Sequence, residues 1–156
     1  MLAFQVKKGR IEEGSDEQIS IKVFIPVYVG GEARAADDIV TDADIDSARD
    51  LLVNPGLAAY VPTLSSIDPA TQNDGADDFE MTLVGLNFQS TAKVDANGTI
   101  LVPTSVTETE IVVTVPASVV ATTGNKPFRV RNYSTDPNGI YSDKYAQSGA
   151  INLVVS

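Results

Sequence analysis

The stretch Phe79-Glu80-Met81-Thr82-Leu83-Val84-Gly85-Leu86-Asn87-Phe88 decides the fold class of this chain of 156 residues. Apolar and polar side chains alternate from Phe79 to Leu83, which is the pattern of a β-strand with one buried and one solvated face. We expect the apolar positions to point inward and the polar positions to meet water. Gly85 would let the backbone leave the strand, and Phe88 would then plug the end of a β-sandwich.

Short apolar runs of the same kind lie on both sides of this stretch and are separated by turn residues. Pro62 to Pro69 (PTLSSIDP) precedes it and Glu110 to Pro116 (EIVVTVP) follows it. Between them, Asn97-Gly98 tolerates positive φ at both positions, as a tight type I′ hairpin requires. Several short strands with regular turn signals predict a small antiparallel β-sandwich.

Further pieces follow in a fixed order: a turn at Asn73-Asp74-Gly75, and strands near Ala92 to Asp95, Phe128 to Asn132 and Ile151 to Val155. In this order and spacing, residues 62–156 resemble the IPT/TIG domain, an Ig-like sandwich found in surface receptors, transcription factors, and bacterial and phage surface proteins. The resemblance implies a module with contact surfaces and no chemistry of its own. An acidic Asp77-Asp78 and an insertion-like stretch from Tyr133 to Gly149 depart from the family pattern.

Residues 1–60 form a separate, less recognisable segment. A strand-like alternation runs from Phe4 to Ile11, and a second strand runs from Ile19 to Val29, bent or at an edge because Pro26 cannot donate to a ladder. Glu32 to Asp38 then reads as a polar connection. A helix of about three turns should begin near Thr41-Asp42-Ala43-Asp44, where acids favour the positive end of the helix dipole.

The predicted fold is therefore mainly β. An Ig-like antiparallel β-sandwich at residues 61–156 is preceded by a small N-terminal segment, residues 1–60, with two strands and one helix. We expect the N-terminal segment to anchor or assemble the protein, because about 60 residues bury too little surface to be stable alone.

The composition excludes much familiar chemistry. The chain has no cysteine, histidine or tryptophan, which removes disulfides, thiolate or imidazole metal sites and the usual general base. We predict a protein that is not an enzyme and uses no cofactor, catalytic residue or metal. No run approaches the roughly 20 apolar residues that span a bilayer, and the N-terminal order of apolar before basic residues is wrong for a secretory signal.

Charge is unevenly spread along the chain. Residues 1–11 carry three basic residues, residues 12–80 carry sixteen acidic against three basic, and residues 81–156 carry five of each. The acidic middle would repel a phosphate backbone, so we expect no nucleic-acid partner.

Several apparent sites have simpler explanations. Asp42-Ala43-Asp44-Ile45-Asp46 resembles half of an EF-hand loop, but Ser47 stands where glycine is expected and Val53 where the bidentate acid is expected. Acidic and polar loop residues could hold a cation (Asp74, Asp77 and Asp78), carry glycans (the sequons at Asn97 and Asn132) or form a nucleophile and base (Ser142 and Lys144). Solvated turns and chance account for these more simply.

The function expected from these features is structural. Because Ig-like domains commonly decorate phage capsids and tails, the resemblance suggests a bacteriophage virion protein that is made in the host cytoplasm, docks on a capsid or tail protein and forms a homo-oligomer or lattice. The docking contacts would come from the basic cluster and the apolar strand near the N-terminus: Phe4, Val6, Lys7, Lys8, Arg10, Val23, Phe24, Ile25 and Val27.

The alternative is a carbohydrate-binding or cell-surface adhesion module. Exposed aromatic side chains in the sandwich loops would stack on sugars, and the candidates are Tyr133, Tyr141 and Tyr145. The absence of tryptophan, the strongest stacking platform, favours the structural function over this one.

Overall fold

The computed structural model describes residues 21–23, 27–29, 32–35, 39–40, 58–135 and 142–156, and this part of the chain is mainly β. The chain divides into two compact units. The first joins Met1–Val61 with Tyr133–Ala146, and the second joins Pro62–Asn132 with Gln147–Ser156. The insertion-like stretch therefore groups largely with the N-terminal segment. The predicted helix near Thr41 and the predicted strand from Phe4 to Ile11 lie outside the described residues.

Five short strands are described in the first unit: β1 (Ile21–Val23), β2 (Val27–Val29), β3 (Glu32–Arg34), β4 (Ile39–Val40) and β5 (Ala58–Tyr60). Strand β1 is the centre of an antiparallel sheet of order β4-β1-β5, and β2 pairs with β3 as an antiparallel ribbon. Two predictions are corrected here. Within the strand predicted from Ile19 to Val29, with Pro26 at a bend or an edge, the described residues form β1 and β2 in different sheets. The predicted polar connection from Glu32 to Asp38 contains β3, because Val29 pairs with Glu32.

Ten strands form the sandwich: β6 (Thr63–Asp68), β7 (Thr71–Gln72), β8 (Phe79–Leu86), β9 (Ala92–Ala96), β10 (Thr99–Leu101), β11 (Ser105–Val106), β12 (Glu110–Val115), β13 (Gly124–Tyr133), β14 (Tyr145–Gln147) and β15 (Ile151–Val155). They belong to the second unit except for Tyr133 at the end of β13 and Tyr145 and Ala146 in β14, which belong to the first. One sheet has the order β11-β12-β8-β6. The other has the order β10-β9-β13-β15-β7, with β14 pairing with β13. Strand β7 runs parallel to β15, and the other pairs with assigned registers are antiparallel. Two such sheets define an Ig-like sandwich.

Strand β8 shows why the sequence folds this way. Met81 and Leu83 are fully buried, whereas Glu80 is exposed, which confirms the predicted alternation. Strands of both sheets, the loop after β8 and the 3-10 helix Ala117–Val120 supply the rest of one continuous core: Ile67, Phe88, Ala92, Val94, Ala96, Ile111, Val113, Val115, Val119, Val120, Phe128, Val130, Leu153 and Val155. The core lies between the two sheets, so the remaining polar side chains are left on the outer faces and at the ends.

The turn between β9 and β10 has the predicted conformation. Asn97 and Gly98 have φ values of 52° and 90°, and Ala96 pairs with Thr99 across them. The Gly98 amide also donates to Asp95 Oδ1 at 2.8 Å. The hairpin predicted from Asn97-Gly98 is confirmed, and one strand side chain stabilises its turn.

Gly85 has a different role from the one expected. Strand β8 continues through Leu86, so Gly85 does not end it. A Cβ atom on Gly85 would lie 1.9 Å from the carbonyl oxygen of Thr63 and 2.6 Å from Cζ of Phe88. The missing side chain therefore lets β6 approach β8 closely, beside the irregular register between Leu64 and Ser66. Phe88 is buried in the core, as predicted.

Candidate functional site

Asn132 is the most buried polar side chain of the sandwich and lies near the end of β13. Its Oδ1 accepts a hydrogen bond from the Gln89 amide at 3.0 Å, and its Nδ2 donates to the Asn87 carbonyl at 2.7 Å. Asn87 has a positive φ of 60°. The side chain thus holds the turn that follows β8, and with no exposed surface it cannot contact a ligand.

Sequence reasoning did not find this role. The sequence places Asn132 at the end of a predicted strand, in a formal glycosylation sequon and near the tyrosines of the carbohydrate alternative. No local pattern distinguishes a buried polar residue at the end of an apolar strand from an exposed one. The partner loop is 43 residues away in the chain. Only the tertiary fold brings the two together.

A second polar cluster joins three strands of the larger sheet. Arg131 on β13 forms an ion pair with Asp95 on β9, and Arg131 Nε donates to Gln147 Oε1 on β14 at 2.8 Å. The side chains of Arg131 and Asp95 are 20% and 6% exposed. Charged side chains are rarely so buried unless they are paired, so this cluster ties the strands together. The same Asp95 stabilises the Asn97-Gly98 turn.

Replacing Arg131 with methionine should lower the free energy of unfolding by about 2 kcal/mol, between the values for exposed and fully buried ion pairs. The variant keeps the length of the side chain but leaves the Asp95 carboxylate without its guanidinium. Urea denaturation followed by far-UV circular dichroism measures the change. The matched control is Lys144→Met, because Lys144 is exposed and its nitrogen lies 3.9 Å from Asp143. Equal stabilities of the two variants would contradict a stabilising role for the Arg131 pair.

The first unit contains an aromatic cluster at the base of the insertion. The rings of Tyr133 and Tyr145 lie 5.2 Å apart between centroids and are inclined by 49°. The Lys22 ammonium lies 5.9 Å from the Tyr145 ring centroid, within the range of a cation–π interaction. Beside the rings, the Ser134 amide donates to the Lys144 carbonyl at 2.9 Å. Two of the three tyrosines expected to bind glycans thus contact each other, and Tyr141 lies outside the described residues.

The described residues include two of the expected docking residues. Val23 lies in β1 and Val27 in β2, so their backbone positions are described. The other docking residues lie outside the described part of the chain: Phe4, Val6, Lys7, Lys8, Arg10, Phe24 and Ile25.

The residues considered for a cation site and for a nucleophile and base are not gathered into a site within the described ranges. Asp78 Oδ1 accepts from the Ala117 amide at 2.8 Å, at the start of the 3-10 helix Ala117–Val120. Ser142 and Lys144 are both exposed. Within the described ranges, no group of three or more acidic side chains is arranged to hold a metal ion. The same residues contain no helix that is long and apolar enough to cross a membrane.

The two packed sheets and the parallel β7–β15 pair define an Ig-like module. Residues 62–146, more than half of the chain, match the IPT/TIG domain family. The chain belongs to that family. The resemblance read from the turn and strand spacing is thereby confirmed for the domain.

Solved structures with similar folds are parts of longer proteins. An auxiliary nutrient binding protein from Bacteroides thetaiotaomicron is 21% identical, with a TM-score of 0.44 over 62% of this chain and 21% of that one. A second such protein from Bacteroides ovatus is 15% identical, with a TM-score of 0.43 and the same coverage. A γ-CGTase from alkalophilic Bacillus clarkii is 14% identical, with a TM-score of 0.45 over 90% of this chain and 21% of that one. This chain thus spans about a fifth of each of these proteins. No curated protein matches it.

Proposed function

We propose that this chain is a non-enzymatic structural protein of a bacteriophage virion, which docks on a capsid or tail protein through its N-terminal segment and displays the IPT/TIG sandwich. The membership in a family of non-catalytic interaction modules supports the general role. The virion setting rests on the frequency of Ig-like domains on phage particles and on the composition of the chain.

The observation that carries the docking proposal is the ribbon of β2 and β3. Among the described strands, β2 pairs with β3 alone. A two-stranded ribbon is only marginally stable in water, so a third strand from a partner would stabilise it. A two-residue loop connects Val29 to Glu32, so Val29 and Glu32 form a pair that exchanges backbone hydrogen bonds. The next pair, Tyr28 and Ala33, therefore exchanges none.

The alternation of hydrogen-bonded pairs determines which backbone groups lie on the outer edge of β2, the proposed docking edge. The N–H and C=O groups of Tyr28 point away from β3, to the edge where no described strand pairs with β2. Strand addition at this edge would use these groups and is a known mode of assembly between protein chains. The strand contains Val27, which the sequence already indicated as a docking residue.

The test compares two proline substitutions on opposite edges of the ribbon. Tyr28→Pro removes the outward amide of β2, and Ala33→Pro removes the outward amide of β3, without deleting a β2–β3 hydrogen bond in either case. We expect Tyr28→Pro to weaken binding to purified virions by at least about tenfold, and Ala33→Pro to leave it within a factor of about two. Equal binding by wild type and both variants would contradict docking through β2. Absence of the protein from purified virions would refute the virion assignment itself.

The carbohydrate alternative needs an open aromatic face. Tyr133 and Tyr145 are half-buried, and the Tyr145 ring contacts both Tyr133 and Lys22. These contacts favour a structural role for the pair and give priority to the docking function. Substituting Tyr145 with alanine should therefore leave a glycan array unchanged relative to wild type. Loss of a specific glycan signal in this variant would instead support the adhesion function.

A further inference from the structure

The edge strand β10 has backbone groups available for pairing. It forms one edge of the larger sheet and pairs with β9, its only partner among the described strands. The hairpin closes with the hydrogen-bonded pair Ala96 and Thr99, so the next pair, Asp95 and Ile100, is non-bonded. The N–H and C=O groups of Ile100 therefore point away from β9, to the side of the sheet on which no described strand lies.

The side chains of this edge are also unprotected. Ile100 is 40% exposed and Val102, just after the strand, is 73% exposed. No charged residue occurs from Ala96 to Thr107, although the whole chain carries a net charge of −10. Natural edge strands are usually protected by charges, prolines, bulges or very short length.

The other edges of the sandwich carry such protection. Strands β7 and β11 have only two residues each, and β6 contains a register irregularity and ends at Asp68. Among the described edges of the sandwich, β10 alone combines three residues with exposed apolar side chains and no charge.

We propose that β10 pairs antiparallel with β10 of a second copy of this chain, about a two-fold axis through Ile100. In this register Ile100 of each copy exchanges two backbone hydrogen bonds with its counterpart, and Thr99 of one copy lies opposite Leu101 of the other. The side chains of the two Ile100 residues meet on the outer face, and the two larger sheets become one continuous sheet.

A second copy fits this edge better than an unrelated chain because two-fold pairing is self-complementary. It places the apolar Ile100 against itself without any matching sequence from elsewhere. Copies with a charge of −10 repel each other, and a contact strand without acidic residues avoids adding close like-charge pairs at the contact itself.

The strength of this contact should be low. Three paired residues bury much less area than a stable dimer needs, so the free chain should associate only weakly. Where many copies are held side by side, a high effective concentration would make the same contact effective. The pairing thus links neighbouring displayed domains, independently of how each copy is anchored.

Cysteine cross-linking tests the geometry directly, because the chain has no cysteine of its own. In the proposed register the two Ile100 Cα atoms lie about 5.5 Å apart, a separation that a disulfide can bridge. The matched control is Val154→Cys, since Val154 is 43% exposed but lies in β15, which has a strand on each side. Under the same oxidising conditions, the Ile100→Cys variant should form disulfide-linked dimer at least about ten times faster than the Val154→Cys variant. Equal rates would indicate random collision and overturn the proposal.

A second measurement separates this contact from the docking strand. In sedimentation equilibrium at roughly millimolar concentration, wild type and Val154→Lys should show dimer, whereas Ile100→Lys should remain monomeric. At low occupancy of the virion, where bound copies have no neighbours, Ile100→Lys should bind as wild type does, because it leaves β2 unchanged. Dimer that persists in Ile100→Lys but disappears in Tyr28→Pro would assign self-association to the ribbon and overturn pairing through β10.

Discussion

Gly85→Ala is expected to destabilise the sandwich by about 3 kcal/mol or more, at the upper end of the range for overpacked cores. The added Cβ would lie 1.9 Å from the Thr63 carbonyl oxygen and 2.6 Å from Cζ of Phe88. A flexible side chain could move away, but the Thr63 oxygen belongs to the backbone of the neighbouring strand. Relief of the clash therefore requires β6 to separate from β8, the centre of the smaller sheet.

The matched control for this substitution is Gly149→Ala. A Cβ atom at Gly149 would have no atom within 4 Å, and the residue is exposed. We expect this variant to keep the wild-type free energy of unfolding within about 0.5 kcal/mol. Far-UV circular dichroism during urea denaturation measures both variants. If Gly85→Ala unfolds at the same urea concentration as Gly149→Ala, the close approach of β6 and β8 is wrong.

Asn132→Ala is expected to lower the free energy of unfolding by about 3 kcal/mol. The substitution removes two part-buried hydrogen bonds to backbone groups, each worth about 1 kcal/mol, and leaves a space where the fully buried amide stood. It also removes the contact that holds Asn87 at its positive φ. The same denaturation experiment measures the loss.

Two further variants make this prediction specific. Asn152 is exposed on β15, so Asn152→Ala should change stability by less than about 0.5 kcal/mol. Asn132→Asp keeps an oxygen that can accept from the Gln89 amide but loses the donor to the Asn87 carbonyl. It should be destabilised as well, because a buried carboxyl would face a carbonyl oxygen. Full stability of Asn132→Asp would show that the Asn87 contact contributes nothing.

The sandwich could be predicted because its signals are local. The alternation from Phe79 to Leu83 and the Asn97-Gly98 turn each specify a conformation within a few residues, and both are confirmed. The last strand, Ile151–Val155, was also predicted with the observed bounds. Apolar alternation is a reliable signal where one face of a strand is buried and the other is solvated.

The remaining features depend on contacts between distant parts of the chain. Nothing near Gly85 in sequence reveals that the Thr63 carbonyl occupies the space of a side chain. The pairing of Tyr133 with Tyr145 likewise depends on the path of the insertion, which groups with the first unit. In the first unit, strands of two or three residues are too short for alternation to show where each begins, so one predicted strand proved to be two.

The parallel pairing of β7 and β15 has a mechanical consequence. Val154 and Val155 of β15 lie beside Thr71 and Gln72 of β7. The amides of Val154 and Ser156 donate to the carbonyls of Ala70 and Gln72. Force that pulls the start of the sandwich away from its final strand acts along these two strands. It would load their hydrogen bonds together, in shear, whereas an antiparallel pair at this position would open one bond at a time. The β7–β15 pair should therefore resist stretching of the sandwich between these two strands.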